Sequence, residues 1–129
     1  LGDVYKRQLK NIETLHARAE DYAKNRDYRE KFDVCVSRAV ANLSTLSEYC
    51  LPYVKVGGCF IAYKAGQLDE ELKSAERAVK LLGGEIADVH RLTLPDTDID
   101  RTFVVIKKTA ATSKKYPRKA GLPAKEPLQ

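Results

Sequence analysis

The sequence of 129 residues predicts a single α/β domain built around a largely parallel β-sheet. Strand patterns and helix patterns alternate through most of the chain, which indicates parallel strands with helices covering both faces of the sheet. The last two strand patterns are separated only by an acidic turn at residues 96–100, which indicates an antiparallel hairpin at one edge. The predicted order is therefore strand, helix, strand, helix, strand, helix, strand, strand.

The first half of the chain gives two strands and two helices. Residues 11–16 alternate loosely between apolar and polar side chains and predict a short strand, and the charged residues 22–31 predict a short surface helix. Residues 32–36, F-D-V-C-V, are apolar and mostly β-branched apart from Asp33, as expected of a buried parallel strand. Residues 43–53 have apolar side chains at helical spacing.

The second half gives one strand, the clearest helix and the hairpin. Residues 59–63, C-F-I-A-Y, predict a second buried strand. Residues 68–82 predict an amphipathic helix because their apolar side chains fall on one face and their charged side chains cover the rest. The glycine pair at 83–84 is suited to end that helix. Residues 85–94 and 101–107 predict the two strands of the hairpin.

The cysteine content and the lack of long apolar runs indicate the class of protein. Three cysteines occur in apolar surroundings without C-x-x-C spacing, so we expect buried, reduced thiols and no metal site: Cys35, Cys50 and Cys59. No apolar run approaches the roughly 20 residues that span a bilayer. No signal peptide is visible either, so we expect a cytoplasmic protein without a membrane partner.

The first eight residues, L-G-D-V-Y-K-R-Q, do not fit the pattern that follows. The chain does not begin with Met and contains no Met at all. We therefore expect residues 1–8 to be a non-native leader and the remainder to be a fragment of a longer protein.

Positive charge is concentrated in residues 107–129, which carry +6, whereas the whole chain carries +5. A localised basic segment with one aromatic residue, Tyr116, is typical of proteins that bind a polyanion such as RNA. The residues after Lys108 include three prolines and show no hydrophobic period, so we expect them either to lack regular structure or to bind as an extended arm. From charge alone, a solvated tail that binds nothing explains the segment equally well.

Three short segments follow predicted strands and place a charged residue next to a small one. They are residues 18–21, 37–39 and 64–66, the last beginning with Lys64. In open α/β sheets, ligands bind beyond the carboxyl ends of the strands. The three segments together therefore predict a ligand site at one edge of the sheet, although each alone is more typical of a solvated turn.

Four motifs in this order and spacing carry a resemblance to a known family: H-A-R-A-E-D, F-D-V-C-V-S-R-A-V-A, L-S-E-Y-C-L-P-Y-V-K-V-G-G and K-K-Y-P-R-K-A-G-L-P. Residues 9–128 resemble the C-terminal half of the bacterial 16S rRNA methyltransferase G family, also called glucose-inhibited division protein B. The basic ending is not a general feature of methyltransferases. The resemblance implies a Rossmann-like S-adenosylmethionine methyltransferase sheet whose first two strands and glycine-rich loop are absent from this chain.

The resemblance also implies a reaction and a set of site residues. The reaction is methylation of a guanine N7 in 16S rRNA. The family's cofactor-contacting pair falls on Ala19 and Glu20, and its cofactor-site arginine falls on Arg38. Because guanine N7 has a lone pair and no proton, the reaction needs alignment and charge stabilisation but no general base. No catalytic residue is therefore assigned. Lys64 is a weaker candidate for a phosphate or cofactor contact.

The prediction for the whole chain is an inactive fragment of a monomeric enzyme that acts on 16S rRNA or a precursor of the small ribosomal subunit. Residues 9–108 would be the C-terminal part of the methyltransferase domain, and residues 109–129 a basic extended tail. The tail residues expected to bind RNA are Lys114, Lys115, Tyr116, Arg118 and Lys119. The alternative is a non-catalytic RNA-binding α/β module with a basic arm. A strand and glycine-rich turn upstream of Leu9 would favour the enzyme.

Overall fold

The computed structural model describes residues 11–38, 41–65 and 68–129. These residues form one mixed four-stranded sheet with the order β1-β2-β4-β3. β1 is parallel to β2, and β4 is antiparallel to both of its neighbours. The strands are β1 Phe32–Arg38, β2 Val54–Ala65, β3 Gly84–Thr93 and β4 Asp100–Lys108. The predicted hairpin is confirmed, and its second strand lies inside the sheet next to β2.

Four α-helices and one 3₁₀ turn accompany the sheet in the described residues. The helices are α1 Ala19–Tyr22, α2 Leu43–Cys50, α3 Asp69–Leu81 and α4 Leu122–Lys125, and the 3₁₀ turn is Leu51–Tyr53. The Asn42 side chain caps α2 by accepting a 2.9 Å hydrogen bond from the Thr45 N–H. Gly83 follows α3 with a φ of +87°, a left-handed conformation that favours glycine and ends the helix as predicted.

The hydrophobic core lies between the sheet and helices α2 and α3. The sheet and the two helices both contribute side chains that are 0–2% exposed, among them Phe60, Ala62, Val104, Ile106, Leu43, Leu46, Ala75 and Val79. Gly84 shows how closely the layers approach, because a Cβ there would lie 3.0–3.1 Å from the side chains of Ile106, Leu51 and Val79. The buried apolar area of this layer is the main favourable contribution to folding.

The opposite face of the sheet departs from the prediction of helices on both sides. No helix of the described residues packs on it. Val34 is 51% exposed and Val36 is 71% exposed, both on β1. β1 also lies at the edge of the sheet, and no described strand pairs with its outer side. The prediction of a parallel strand at residues 32–36 is confirmed, but the prediction that this strand is buried is wrong.

Two predictions near the start of the described chain are also wrong. Residues 11–16 form no strand, because no described strand lies beside them to complete a hydrogen-bonded ladder. Residues 22–31 are mostly turns, and α1 ends at Tyr22. Asn25 accounts for part of this difference, because its side chain accepts a 2.9 Å hydrogen bond from the Asp27 N–H and so favours a turn over a helix.

The predicted leader, residues 1–8, lies outside the described residues, as do parts of the two later strand-exit segments.

Residues 109–129, called the tail below, fold back onto the body of the protein. Tyr116 is 7% exposed and joins the hydrophobic core. The Thr112 hydroxyl donates to the Leu82 carbonyl at 2.6 Å, and the Thr45 hydroxyl donates to the Pro123 carbonyl at 3.0 Å. These residues contain little regular structure besides α4, but they do not form the extended arm that is the other expectation. Side-chain hydrogen bonds thus join the body and the tail in both directions, and such contacts leave no periodic signal in the sequence.

Candidate functional site

A cavity of about 720 Å³ lies between the residues that precede α1 and the outer edge of β1. Its volume is in the range of clefts that hold small molecules and cofactors. The wall is mostly apolar and aromatic, with Leu15, Ala19, Tyr22, Tyr28, Phe32, Val34, Cys35, Val36, Tyr49, Cys50 and Tyr53 among its members. Of the predicted site residues, only Ala19 belongs to this wall.

The tyrosines of this wall make specific contacts. The Tyr53 hydroxyl donates to the Ala19 carbonyl at 2.5 Å and so fixes the backbone of α1 against the 3₁₀ turn. Burial, together with the nearby Cys50 and other acidic groups, raises the pKa of Tyr53 to about 12, so its hydroxyl stays protonated as a donor. The rings of Tyr22 and Tyr28 meet edge to face with centroids 5.3 Å apart.

Glu20 points away from the cavity. Its side chain is 4% exposed, and its carboxylate accepts hydrogen bonds from the Gly121 N–H at 3.1 Å and from the Arg18 guanidinium at 3.5 Å. Burial alone would raise the pKa of Glu20, but hydrogen bonds from its own N–H and from Gly121, with the charge of Arg18, bring that pKa below its ordinary value. The buried Glu20 carboxylate thus joins α1 to the tail.

Arg38 lies in a different pocket from Ala19. It is exposed at the carboxyl end of β1 and borders a shallow pocket of about 270 Å³ beside the rings of Tyr63 and Phe103, whose centroids are 4.8 Å apart. Val36 lines both this pocket and the larger cavity. The structure therefore places Arg38 next to the cavity but does not bring it together with Ala19 and Glu20.

Lys64, the weaker candidate, is engaged inside the protein. Its side chain is 8% exposed, and its ammonium donates to the Ala41 carbonyl at 2.8 Å and to the Glu71 carboxylate at 2.9 Å. These two contacts join the end of β2 to the segment before α2 and to α3. Its observed role is structural, because both contacts are with the protein itself.

The five tail residues predicted to bind RNA divide into two groups. Lys114, Lys115 and Lys119 are exposed, whereas the Tyr116 ring is buried and the Arg118 guanidinium contacts the Glu48 carboxylate at 2.9 Å. The Glu48 side chain is fully buried. A buried ring offers no free face to a base, so the three lysines are the members of the set that a polyanion can reach.

Sequence reasoning missed Arg29, which holds the tail. Its guanidinium donates to four backbone carbonyls at 2.8–3.1 Å, those of Ala23, Thr112, Ser113 and Tyr116. Three of those partners lie more than 80 positions further along the chain. A single charged residue within a charged segment gives no local signal of such a role.

The described residues contain neither a metal-binding cluster nor a membrane-spanning helix. Within residues 11–38, 41–65 and 68–129, no group of three or more His, Cys, Asp or Glu side chains is arranged to hold a metal ion. The three cysteines are free and half-buried. In the same part of the chain, no helix has both the length and the apolar character needed to cross a membrane.

The fold has known counterparts. A solved structure described as the M1.HpyAVI-SAM complex matches with a TM-score of 0.53 and 15% sequence identity, over 75% of this chain and 56% of that chain. A structure described as M1.HpyAVI matches with the same TM-score and 14% identity. At such low identity the likeness shows the fold alone. It confirms the predicted α/β fold class.

Comparisons of sequence give the family. Residues 4–103 match the GidB family model, described as rRNA small subunit methyltransferase G. Relatives named ribosomal RNA small subunit methyltransferase G are 52% identical in Clostridium novyi and 54% identical in Lactobacillus johnsonii, each over 93% of this chain. The chain spans about half the length of these relatives, 49% and 50% respectively. By these matches, the chain belongs to the rRNA small subunit methyltransferase G family.

Proposed function

We propose that this chain is the C-terminal half of a monomeric, cytoplasmic enzyme that transfers a methyl group from S-adenosylmethionine to guanine N7 of 16S rRNA. The family match over residues 4–103 is the observation that supports the proposal most directly. The substrate would be 16S rRNA or a precursor of the small ribosomal subunit. The fold and the cavity beside α1 are compatible with this activity.

The residues around the cavity fit the cofactor in part. The volume of about 720 Å³ and the aromatic wall suit a nucleoside, and the Ala19 backbone is held in that wall by Tyr53. Glu20 does not fit as a direct ligand, since its carboxylate faces Gly121. When bound, S-adenosylmethionine would supply a methyl group activated by a positively charged sulfur.

The chemistry of the acceptor explains why no base is needed from this chain. Guanine N7 presents a lone pair without a proton, so alignment and charge stabilisation are sufficient for methyl transfer. Arg38 is exposed beside the cavity and could bind a carboxylate or an RNA phosphate with its planar guanidinium. Lys114, Lys115 and Lys119 would bind the RNA backbone through charge.

The open edge of β1 supports the proposal that more polypeptide completes the site. Val36 is 71% exposed there, and the cavity lies on the same side. In the full-length protein, polypeptide from the upstream half would pair with β1 and also cover this side chain. The same half would bring the glycine-rich loop that the family uses to bind the cofactor.

The assignment of Arg38 can be tested in the full-length protein. Replacing Arg38 with Ala should weaken the binding of S-adenosylmethionine by about tenfold or more, because a charge-assisted contact is lost. Arg77→Ala is the matched control, since Arg77 is exposed on α3 and remote from β1 in the fold. Calorimetric titration gives both affinities. Equal affinities in the two variants would contradict the role of Arg38.

The alternative is a non-catalytic RNA-binding module, which the exposed lysines of the tail also favour. The formation of a methylated product distinguishes the enzyme from the RNA-binding module. Incubation of the full-length protein with S-adenosylmethionine and undermethylated 16S rRNA should give 7-methylguanosine, detectable by mass spectrometry of the digested RNA. Binding of the RNA without this product would favour the module.

A further inference from the structure

Helix α1 is too short to maintain its own conformation. It has four residues, and isolated helices shorter than about 12 residues are marginal in water. The side chain at its N-cap position, Arg18, makes no capping hydrogen bond. Since Ala19 of α1 lines the cavity, the shape of the cavity wall depends on contacts that other segments make with this helix.

The tail supplies one of those contacts directly and a second through Arg29. The Gly121 N–H donates to the buried Glu20 carboxylate at 3.1 Å. The Arg29 guanidinium donates from one nitrogen both to the carbonyl of Ala23, directly after α1, and to that of Tyr116 in the tail, at 3.1 and 2.8 Å. Both ends of α1 are thus joined to the tail, in addition to the bond from Tyr53.

The tail is anchored independently of α1. The fully buried Glu48 carboxylate of α2 accepts hydrogen bonds from the Arg118 N–H at 2.7 Å and from its guanidinium at 2.9–3.2 Å. These bonds raise the pKa of Arg118, which is therefore charged whenever the tail is docked. Bidentate, charge-assisted bonds of this kind fix geometry as well as add energy. The docked tail is therefore a firm support for the segment that it contacts.

We propose that the docked tail positions Ala19 in the cofactor site and that Glu20 is a positioning residue, which acts through Gly121 rather than by touching the cofactor. This inference rests on the proposed function. It gives the tail a second role besides its charge, because the same segment that presents lysines to RNA holds one wall of the cavity. Linkage then requires that the cofactor and the docked tail stabilise each other.

Two variants of the full-length protein distinguish the effect of tail docking from the effect of the positive charge of the tail. Arg118→Gln and Lys119→Gln each remove one positive charge from adjacent positions, but only Arg118 is bonded to Glu48. We expect Arg118→Gln to weaken the binding of S-adenosylmethionine about five- to tenfold, at the lower end of typical couplings between sites. Lys119→Gln should keep an affinity for S-adenosylmethionine within about twofold of wild type, although it should weaken the binding of RNA because the Lys119 ammonium is exposed.

A second pair of variants tests Glu20 directly and does not leave Glu48 unpaired. Glu20→Gln keeps an acceptor for the Gly121 N–H, so its cofactor affinity should remain close to wild type, whereas Glu20→Ala should lose affinity as Arg118→Gln does. Hydrogen exchange at residues 19–23 should accelerate in Glu20→Ala and Arg118→Gln, which a uniform loss of stability would not confine to that segment.

The outcomes separate the inference from the proposed function. Wild-type affinity for S-adenosylmethionine in both Arg118→Gln and Glu20→Ala would overturn the positioning role and leave the proposed function intact. An equal loss in Glu20→Gln and Glu20→Ala would also overturn it, since the retained acceptor would then be irrelevant. If the wild-type protein itself binds no S-adenosylmethionine, the proposed function fails, and the inference fails with it.

Discussion

Glu20 is a carboxylate that the protein keeps ionised in a buried place. Burial acts to raise its pKa, but the N–H donors of Glu20 itself and Gly121, with the charge of Arg18, lower the pKa overall. A glutamate with a folded-state pKa below its unfolded value stabilises the folded protein at higher pH. That contribution is present above the unfolded pKa of about 4.3 and is lost as the pH falls through the folded value.

The pH dependence of stability should therefore differ between wild type and Glu20→Gln. At pH 7 the wild type should be the more stable of the two, and its advantage should shrink as the pH falls below about 4. Denaturant titrations of both proteins at a series of pH values measure this difference. A constant difference between the two proteins from pH 7 to pH 3 would be inconsistent with an ionised, hydrogen-bonded Glu20.

Lys108 shows why a count of charged residues in the basic segment, residues 107–129, overstates its positively charged surface. Its ammonium is buried and donates to the carbonyls of Leu51 at 2.7 Å and Val54 at 3.0 Å, with the Glu30 carboxylate 3.3 Å away. Burial lowers the pKa of Lys108, partly offset by the attraction of Glu30. The sequence predicted that this region is cationic, but which cations face solvent depends on partners that are far away in the chain.

At the scale of elements, the sequence pattern predicted a helix or strand correctly where the residues of that element determine its conformation. α3, Asp69–Leu81, lies within one residue of the predicted range because one apolar face determines it. The predicted strand at residues 11–16 does not form, because a strand depends on neighbours that the pattern cannot supply. β1 shows both effects, since its residues pair with β2 as predicted while its outer edge remains open.

The open edge of β1 leads to a prediction with opposite outcomes in two proteins. In the 129-residue chain, Val36→Lys should reduce aggregation, because a charge on an exposed edge strand opposes pairing between chains. In the full-length protein, the same change should lower the free energy of unfolding by about 3 kcal/mol or more, because an unpaired charge would be buried.

Light scattering and denaturant titration measure the two effects. Leu81→Lys is a suitable control in both proteins, since Leu81 is a comparable apolar residue that is 41% exposed at the end of α3, away from β1. An unchanged free energy of unfolding in full-length Val36→Lys would indicate that nothing covers the side chain at this position.

At the scale of the whole molecule, the chain has a core on one face of its sheet and an apolar surface on the other. Ile61, Phe103 and Val105 are only partly buried on that second face, beside the exposed Val34 and Val36. The hairpin followed from the sequence, whereas the position of its second strand inside the sheet did not. The resemblance to the family also predicted that two strands are absent from this chain. No described strand pairs with the outer side of β1, where the structure has the cavity.

We expect the 129-residue chain alone to transfer no methyl groups, because the glycine-rich loop and two strands of the site would be missing. Adding the upstream half of the full-length protein, by co-expression, should restore formation of 7-methylguanosine in 16S rRNA. The upstream half expressed alone is the control. Methyl transfer by purified residues 1–129 without the other half would refute the prediction.

The docked tail has a consequence for the order in which the molecule is built on the ribosome. Arg29 and Glu48 bind tail residues that are 70 to 87 positions later in the chain. The nascent polypeptide emerges from its N-terminal end, so the sheet and its helices leave the exit tunnel before the tail does. Helix α1 thus waits for the later-made tail before its contacts are complete, and a nascent chain whose tail is still inside the tunnel would have an unfinished cavity wall.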